Sequence, residues 1–273
     1  MFGLTIAFKD INYSKGIWGS DWVGFQNFKF LFQSSDAYTI TRNTILYNAA
    51  FIVIGLIVGI GMAILLNEIK NKIAVKIYQS VILLPYLISM VLVSYLVYSM
   101  LSINSGFMNN TILPALGIEP ISWYNEPKYW PYILIMVNVW KGAGYSCVIY
   151  LAAIISIDAE YYEAARLDGA SKWQQIRTIT VPLITPVVIM LTLLNIGRIF
   201  YSDFGLFYQV PMNSGALFDT TNVIDTYVFR GLMQLGDIGM SSAAGMYQSV
   251  VGFILVMLSN YVVRKINKEN ALL

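Results

Sequence analysis

Two cations set in apolar runs, Lys141 and Arg198, and one charged decapeptide, Tyr162 to Ser171, are the residues of this chain whose types and spacing could do chemistry. An ionisable side chain inside a membrane span is expensive and by default points to function. Asn138, Lys141 and Tyr145 recur at i, i+3 and i+7, and Asn195, Arg198 and Ser202 do the same, so each set is expected on one helix face. Such faces offer amide, hydroxyl and cationic donors beside aromatic rings, which suits a polyhydroxylated ligand. Arg198 could also grip a uronate or sialate carboxylate in bidentate fashion. In a second reading both cations lie near the outer surface and snorkel to headgroups or pair with loop acids such as Asp203. That reading is preferred for Lys141; for Arg198 both stand.

Other chemistries are excluded by counts. There is no histidine and Cys147 is alone, which removes a structural zinc site, a disulfide framework and any histidine-dependent triad. No metal site is expected. No G-x-x-x-x-G-K-[ST] phosphate loop occurs, so any ATP must be hydrolysed on another chain. A net charge of +2 gives no basic field for nucleic acid.

The composition, 57% apolar and 12% charged, is that of an all-α membrane protein. Apolar runs near the spanning length occupy about residues 44–66, 77–101, 130–155, 178–201 and 241–263, giving five spans. Gly55-x-x-x-Gly59 in the first has the small-residue spacing of close helix packing, and Pro85 is expected to bend the second. Residues 1–43 form an N-terminal part: 1–8 look like the stump of a helix, and the aromatics of 9–42 suit a membrane interface or a small cluster of their own. The spans occupy 44–263, interrupted by a charged loop at 156–177, and 264–273 form a basic tail. Residues 202–240 read as a long polar segment.

Alternate loops place nine Lys and Arg residues, Lys70, Lys72, Lys76, Arg166, Lys172, Arg177, Arg264, Lys265 and Lys268, on one side. The other side carries six, over much longer segments, so the first side is expected to be cytoplasmic, with the C-terminus there. Five spans then put Met1 outside, and one further upstream helix, making six, would restore a cytoplasmic N-terminus.

The loop at 156–177 has its own local instructions. Asp158 can cap a short helix whose first turns carry Glu160 and Glu163. Gly169 stands where a left-handed residue ends it, and Ser171-x-x-Gln174 has capping-box spacing for the next. Helix, sharp bend and helix are therefore specified. Two readings follow: an interfacial amphipathic connection, or a docking tip whose small Ala164, Ala165, Gly169 and Ala170 permit close approach while Glu163 and Asp168 fix register.

Glu163-Ala164-Ala165, three residues, Gly169, nine residues, then Ile179-x-Val181-Pro182 resembles the EAA motif of importer permeases of ATP-binding cassette transporters, with Val181 where Leu is commoner. Glu-Ala-Ala-x-x-Asp-Gly-Ala at 163–170, with Pro182 and Pro186, is similar to the carbohydrate-uptake branch, and the likeness in span order runs from about residue 24 to 268. The absent first helix is the departure. Residues 223–232, with 243–245 and 259–261, resemble a subgroup for complex or uronate-containing oligosaccharides.

The resemblance implies a type I importer permease fold in a bacterial plasma membrane, and an oligosaccharide cargo moved by alternating access. Glu163, Ala164, Ala165, Asp168, Gly169 and Ala170 would form the coupling helix against the ATPase. The implied partners are a second permease subunit, two copies of the cytoplasmic ATPase that hold ATP and Mg, and an extracellular solute-binding protein. The competing class is a stand-alone secondary carrier or channel for a polar solute. It would need its own coupling site, yet the spans contain no acidic residue and no visible repeat.

Overall fold

The computed structural model describes residues 3–34 and 36–266. Its principal helices, in chain order, are α1 (Ala37–Asn67), α2 (Lys72–Leu87), α3 (Met90–Leu101), α4 (Trp130–Ile155), α5 (Ala159–Leu167), α6 (Lys172–Gln175), α7 (Val181–Gly197), α8 (Phe204–Gln209), α9 (Ile224–Arg230) and α10 (Ile238–Ile266). Among the described residues, four helical stretches are long and apolar enough to cross a membrane: Ala37–Asn67, Pro127–Ile155, Lys172–Gly197 and Ile238–Lys265. The broken pair of α2 and α3 passes the same test taken together and makes a fifth where it counts as one span. In α1, α7 and α10 only 17% of the apolar window is buried within the chain, so most of the apolar surface faces outward, as lipid or a membrane-embedded neighbour requires.

Two expected spans change. The second is interrupted, not merely bent: α2 ends at Leu87, Ile88 is extended with ψ 133°, and helix resumes at Met90. Pro85 lies in the last turn of α2, where its missing N–H weakens the ladder just before the end. The fourth begins earlier and stops sooner than the apolar run suggests. It starts at Lys172, and residues Ile176–Thr180 form a π turn in which the Val181 N–H reaches the Ile176 carbonyl. Pro182 follows and cannot donate to the carbonyl of Thr178, so a widened turn at this point is physically reasonable. Beyond Gly197 the chain leaves the helix, so Ser202 lies outside the helix that carries Asn195.

The chain divides into two compact units. One contains residues up to Asn48, Met90–Leu134 and Gly197–Leu255. Here the stretch 202–240 is a packed helical region and not a polar loop: Leu206, Val210, Leu217, Val223 and Ile224 are fully buried. Ile40, Phe200, Ile224 and Ala244 form a core, and the start of α1 is bonded to the region before α9. Asn43 Nδ2 donates to the carbonyls of Asp219 and Asn222, Tyr47 Oη to that of Thr220, and Thr44 Oγ1 accepts from Ile224 N–H. The N-terminal part contains the helical turn Gly3–Ile6 and a two-residue antiparallel pairing of Lys9 with Trp22 and Asp10 with Asp21. Phe8, Phe25 and Phe28 cluster there at centroid distances of 5.4–5.7 Å, while Trp18, Trp22 and Phe32 remain exposed.

The turn after α7 is held in this unit by Asp225. Its Oδ2 accepts from Ser202 N–H at 2.8 Å and from Gln248 Nε2 at 3.3 Å, and Gln248 also donates to the Phe200 carbonyl at 2.6 Å. Burial pushes the Asp225 carboxyl above the usual range, and the donated hydrogen bonds oppose that only in part.

The other unit contains Ala49–Ser89, Ile135–Ile196 and the residues from Val256. Its core is Ala63, Leu66, Cys147, Tyr150, Leu151, Ile154 and Ile184. Gly59, in the small-residue pair of α1, packs internally: a Cβ there would lie 2.9 Å from that of Ser146 in α4. Gly55 has open space beside it. The closest approach is between α4 and α2, where a Cβ on Gly144 would fall 1.9 Å from the carbonyl oxygen of Ile82.

Two outcomes follow. Gly144→Ala forces α4 and α2 apart and is expected to cost about 1–3 kcal/mol, read as a lower thermal midpoint in detergent. An unchanged midpoint would mean the contact is loose. For Asp225 the sign is set by its raised pKa: stability is greatest below the unfolded carboxylate range and falls as pH rises through the folded pKa. Asp225→Asn should remove that fall, so wild type and variant should differ in slope as pH rises above the ordinary carboxylate range. Parallel profiles would show that Asp225 is not buried as described.

Candidate functional site

The charged island folds from its own capping residues. Asp158 caps α5 by accepting from Glu160 N–H at 3.0 Å. At the other end Gly169 has φ 79°, its N–H meets the Arg166 carbonyl, and the Ala170 N–H meets that of Ala165, which is a Schellman closure. Ser171 and Gln174 then make the reciprocal capping box that starts α6. Each backbone group freed at the bend is thus met locally, and the tip needs little from the bundle for its shape.

The tip is presented outward. Glu163, Ala164, Asp168 and Gly169 are exposed, Ala165 and Ala170 half-buried, and Leu167 is 89% exposed. An exposed leucine set among small residues is an apolar knob left uncovered by the described residues. Three contacts fix its base. Tyr162 Oη and Thr180 Oγ1 are hydrogen-bonded at 2.9 Å, joining α5 to the π turn. Gln175 Nε2 donates to the Ala170 carbonyl at 2.9 Å, and Lys172 pairs with Glu68 at 2.8 Å. None of these partners was visible in the sequence, since Tyr162 and Thr180 are 18 positions apart and Glu68 lies on another loop.

The intramembrane candidates are sorted by the fold. Lys141 neither snorkels nor pairs with an acid: its Nζ donates to the carbonyls of Pro85 (3.2 Å), Tyr86 (3.0 Å) and Ile88 (2.5 Å). It sits at the end of α2, where the Pro85 carbonyl also accepts from Ile88 N–H at 3.3 Å and the last carbonyls lack an i+4 partner. Beside it the rings of Tyr145 and Tyr86 stack at 4.8 Å and 12°. Asn138, three residues before Lys141, is half-buried. Asn195 lines a small cavity of about 70 Å³ with Gly55, Ser146, Tyr150 and Thr192.

Arg198 and Ser202 belong to the turn held by Asp225. Arg198 is exposed, and among the described residues it joins no ion pair; Asp203 instead caps α8 by accepting from Leu206 N–H. Ser202 uses its N–H on Asp225, and its hydroxyl oxygen lies 3.4 Å from Asn48 Nδ2. Tyr86 was missed by the sequence reading because its stacking partner sits on another helix.

Comparison with known proteins agrees with this arrangement. The sequence model of the family described as "Binding-protein-dependent transport system inner membrane component" matches residues 52–268. Protein LplB of Bacillus subtilis is 32% identical over 270 residues, covering 98% of this chain and 84% of that protein. The polygalacturonan/rhamnogalacturonan transport system permease protein YteP of the same organism is 34% identical, covering 98% and 83%. Among solved structures, a bacterial ABC transporter involved in import of the acidic polysaccharide alginate superposes with a TM-score of 0.88 at 33% identity, over 98% of this chain and 89% of its counterpart. The same transporter type with an alginate pentasaccharide-bound periplasmic protein gives 0.87, also at 33% identity, over 98% and 88%. With its helical spans, its capped exposed island and these matches, the chain belongs to the family of inner membrane components of binding-protein-dependent transport systems.

Proposed function

We propose that this chain is one permease subunit of an ATP-driven importer of oligosaccharides carrying uronate groups, and that the island at 156–177 is where the motor engages it. The observation that carries the reading is the exposed tip of α5. Its backbone is self-capped, its small residues admit close docking, and Leu167 and the acids Glu163 and Asp168 remain free for a partner. Glu163, Ala164, Ala165, Asp168, Gly169 and Ala170 form the contact with a cytoplasmic ATPase. That partner carries ATP and Mg, since this chain has no phosphate loop.

Two ATPase copies closing around ATP move two such tips, one on this chain and one on a second permease subunit. The bundles then rock between outward and inward openings. An extracellular solute-binding protein delivers the cargo. The C-terminus, the island and the loop with Lys70, Lys72 and Lys76 lie in the cytoplasm by the charge rule, and residues 1–43 and 202–240 face outward. Of the basic tail at 264–273, residues 267–273 lie outside the described residues.

The acidic cargo is supported by the relatives named for polygalacturonan and alginate, and by Arg198, an exposed guanidinium without an acidic partner among the described residues. Asn138, Tyr145, Asn195, Arg198 and Ser202 remain the candidate pathway. A guanidinium reads a carboxylate by two parallel hydrogen bonds, which a neutral sugar cannot return.

Two measurements test this. In proteoliposomes holding the assembled transporter, Glu163→Ala should leave the permease inserted while ATP-driven uptake falls at least about tenfold and the ATPase no longer co-purifies. Undiminished uptake would remove the island from the coupling interface. Arg198→Ala should lower uptake of a galacturonate oligosaccharide by about tenfold or more and leave a neutral oligosaccharide of equal length unaffected. Equal loss for both, or for neither, would assign Arg198 to the scaffold.

A further inference from the structure

We propose that Lys141 is a positioning residue for transport: it sets the break in the second span and so holds the ring of Tyr86 at a fixed place in the membrane. The inference rests on the permease reading above. A lysine ammonium has three protons, and here three carbonyl oxygens, those of Pro85, Tyr86 and Ile88, lie 2.5–3.2 Å from Nζ. All its donors are engaged, so the cation does not read cargo. It acts on the helix end.

The geometry around it makes this end a junction. Gly144, three residues further along α4, brings the α4 backbone against the Ile82 carbonyl, a contact that any Cβ would forbid. Tyr145 stacks on Tyr86, and Lys141 Nζ lies 5.9 Å from the centroid of the same ring. Lys141, Gly144 and Tyr145 therefore fasten α4 to the last turn of α2 by charge, by backbone proximity and by ring stacking. Pro85 has weakened the ladder there; its carbonyl also accepts from Ile88 N–H at 3.3 Å, while Lys141 supplies a donor to those of Tyr86 and Ile88 in a medium that offers few. A cation at a helix C-terminus also answers the negative end of its dipole. Discontinuous helices in transporters mark the translocation path, so the placement of this end sets what cargo meets.

The test uses the complete transporter in proteoliposomes, with Lys141→Met and Lys141→Arg, and a galacturonate oligosaccharide as cargo. Lys141→Met keeps the chain length and loses the donors; ATP hydrolysis should stay within about twofold while cargo imported per ATP falls about tenfold. Lys141→Arg, which still donates, should restore the ratio to within about threefold of wild type. A proportional fall in hydrolysis and uptake, an unchanged ratio in Lys141→Met, or failure of arginine to rescue would each overturn the proposal.

If Lys141→Met does not assemble, Tyr86→Leu takes its place: a fall in cargo per ATP supports the proposal and an unchanged ratio defeats it. A second readout is independent of cargo. Nitroxides at Leu87 and Met136, both exposed, should give a narrow distance distribution in wild type and Lys141→Arg and a broad one in Lys141→Met. An unchanged distribution would show that Lys141 does not hold the break. A wild-type complex without ATP-driven uptake would instead sink the permease reading, and the nitroxide distances would then decide the clamp alone.

Discussion

A helix that stops inside a membrane leaves its last carbonyls without partners, and hydrocarbon supplies none. The second helical stretch of this chain stops at Leu87 and restarts at Met90, and Lys141, reaching from α4, donates to the carbonyls of Pro85, Tyr86 and Ile88 at that break, the first of which also accepts from Ile88 N–H. Much of the unit around it follows from that requirement. Helix α4 must run close enough to α2 for a lysine to reach, and Gly144 against the Ile82 carbonyl is what permits the approach. Once the two helices are that close, Tyr86 and Tyr145 stack. A half-buried charge that would ordinarily weaken a span is here used on the backbone of another.

The polar island obeys the same rule under easier conditions. Its helix ends are met by Asp158, by the Schellman closure at Gly169 and by the Ser171–Gln174 box, all within a few residues of the group they satisfy. Its shape therefore depends on local sequence. What depends on the bundle is its orientation, through Tyr162 to Thr180, Gln175 to the Ala170 carbonyl, and Lys172 to Glu68. Because α6 runs through the π turn directly into the fourth span, a displacement of the tip has a continuous helical path into that span. The turn is also the place where Pro182 makes regular hydrogen bonding impossible, which is where a helix can change pitch at least cost.

Legibility followed the range of the interactions. The helix-bend-helix at 158–177 was readable because caps act between residues two to five apart. The third and fifth spans were close to right because a long apolar run has few alternatives in lipid. The stretch 202–240 packs where a polar loop is expected: its polar residues are interspersed with Leu206, Phe207, Val210, Leu217 and Ile224, and its backbone carbonyls at Asp219, Thr220 and Asn222 accept from the side chains of Asn43 and Tyr47 in α1, some 175 residues away. The extension of the Asn195 face to Ser202 failed for a related reason. A periodicity argument assumes the helix continues, and the bonds from Ser202 and Gln248 to Asp225 draw the chain off the axis after Gly197.

By itself the sequence determined that the chain is a helical membrane protein and that one charged island between its spans is shaped by its own caps. Each of these rests on composition, run length or caps, which are local quantities. Only the tertiary structure decided that Lys141 serves a helix end, that Gly59 and Gly144 are contact points, and that Ser202 is bonded to Asp225. The reason is physical: a cation has no preferred partner until the fold chooses which acceptors come within 3 Å of it, and the acceptors here are backbone oxygens, which every residue carries and no sequence pattern singles out.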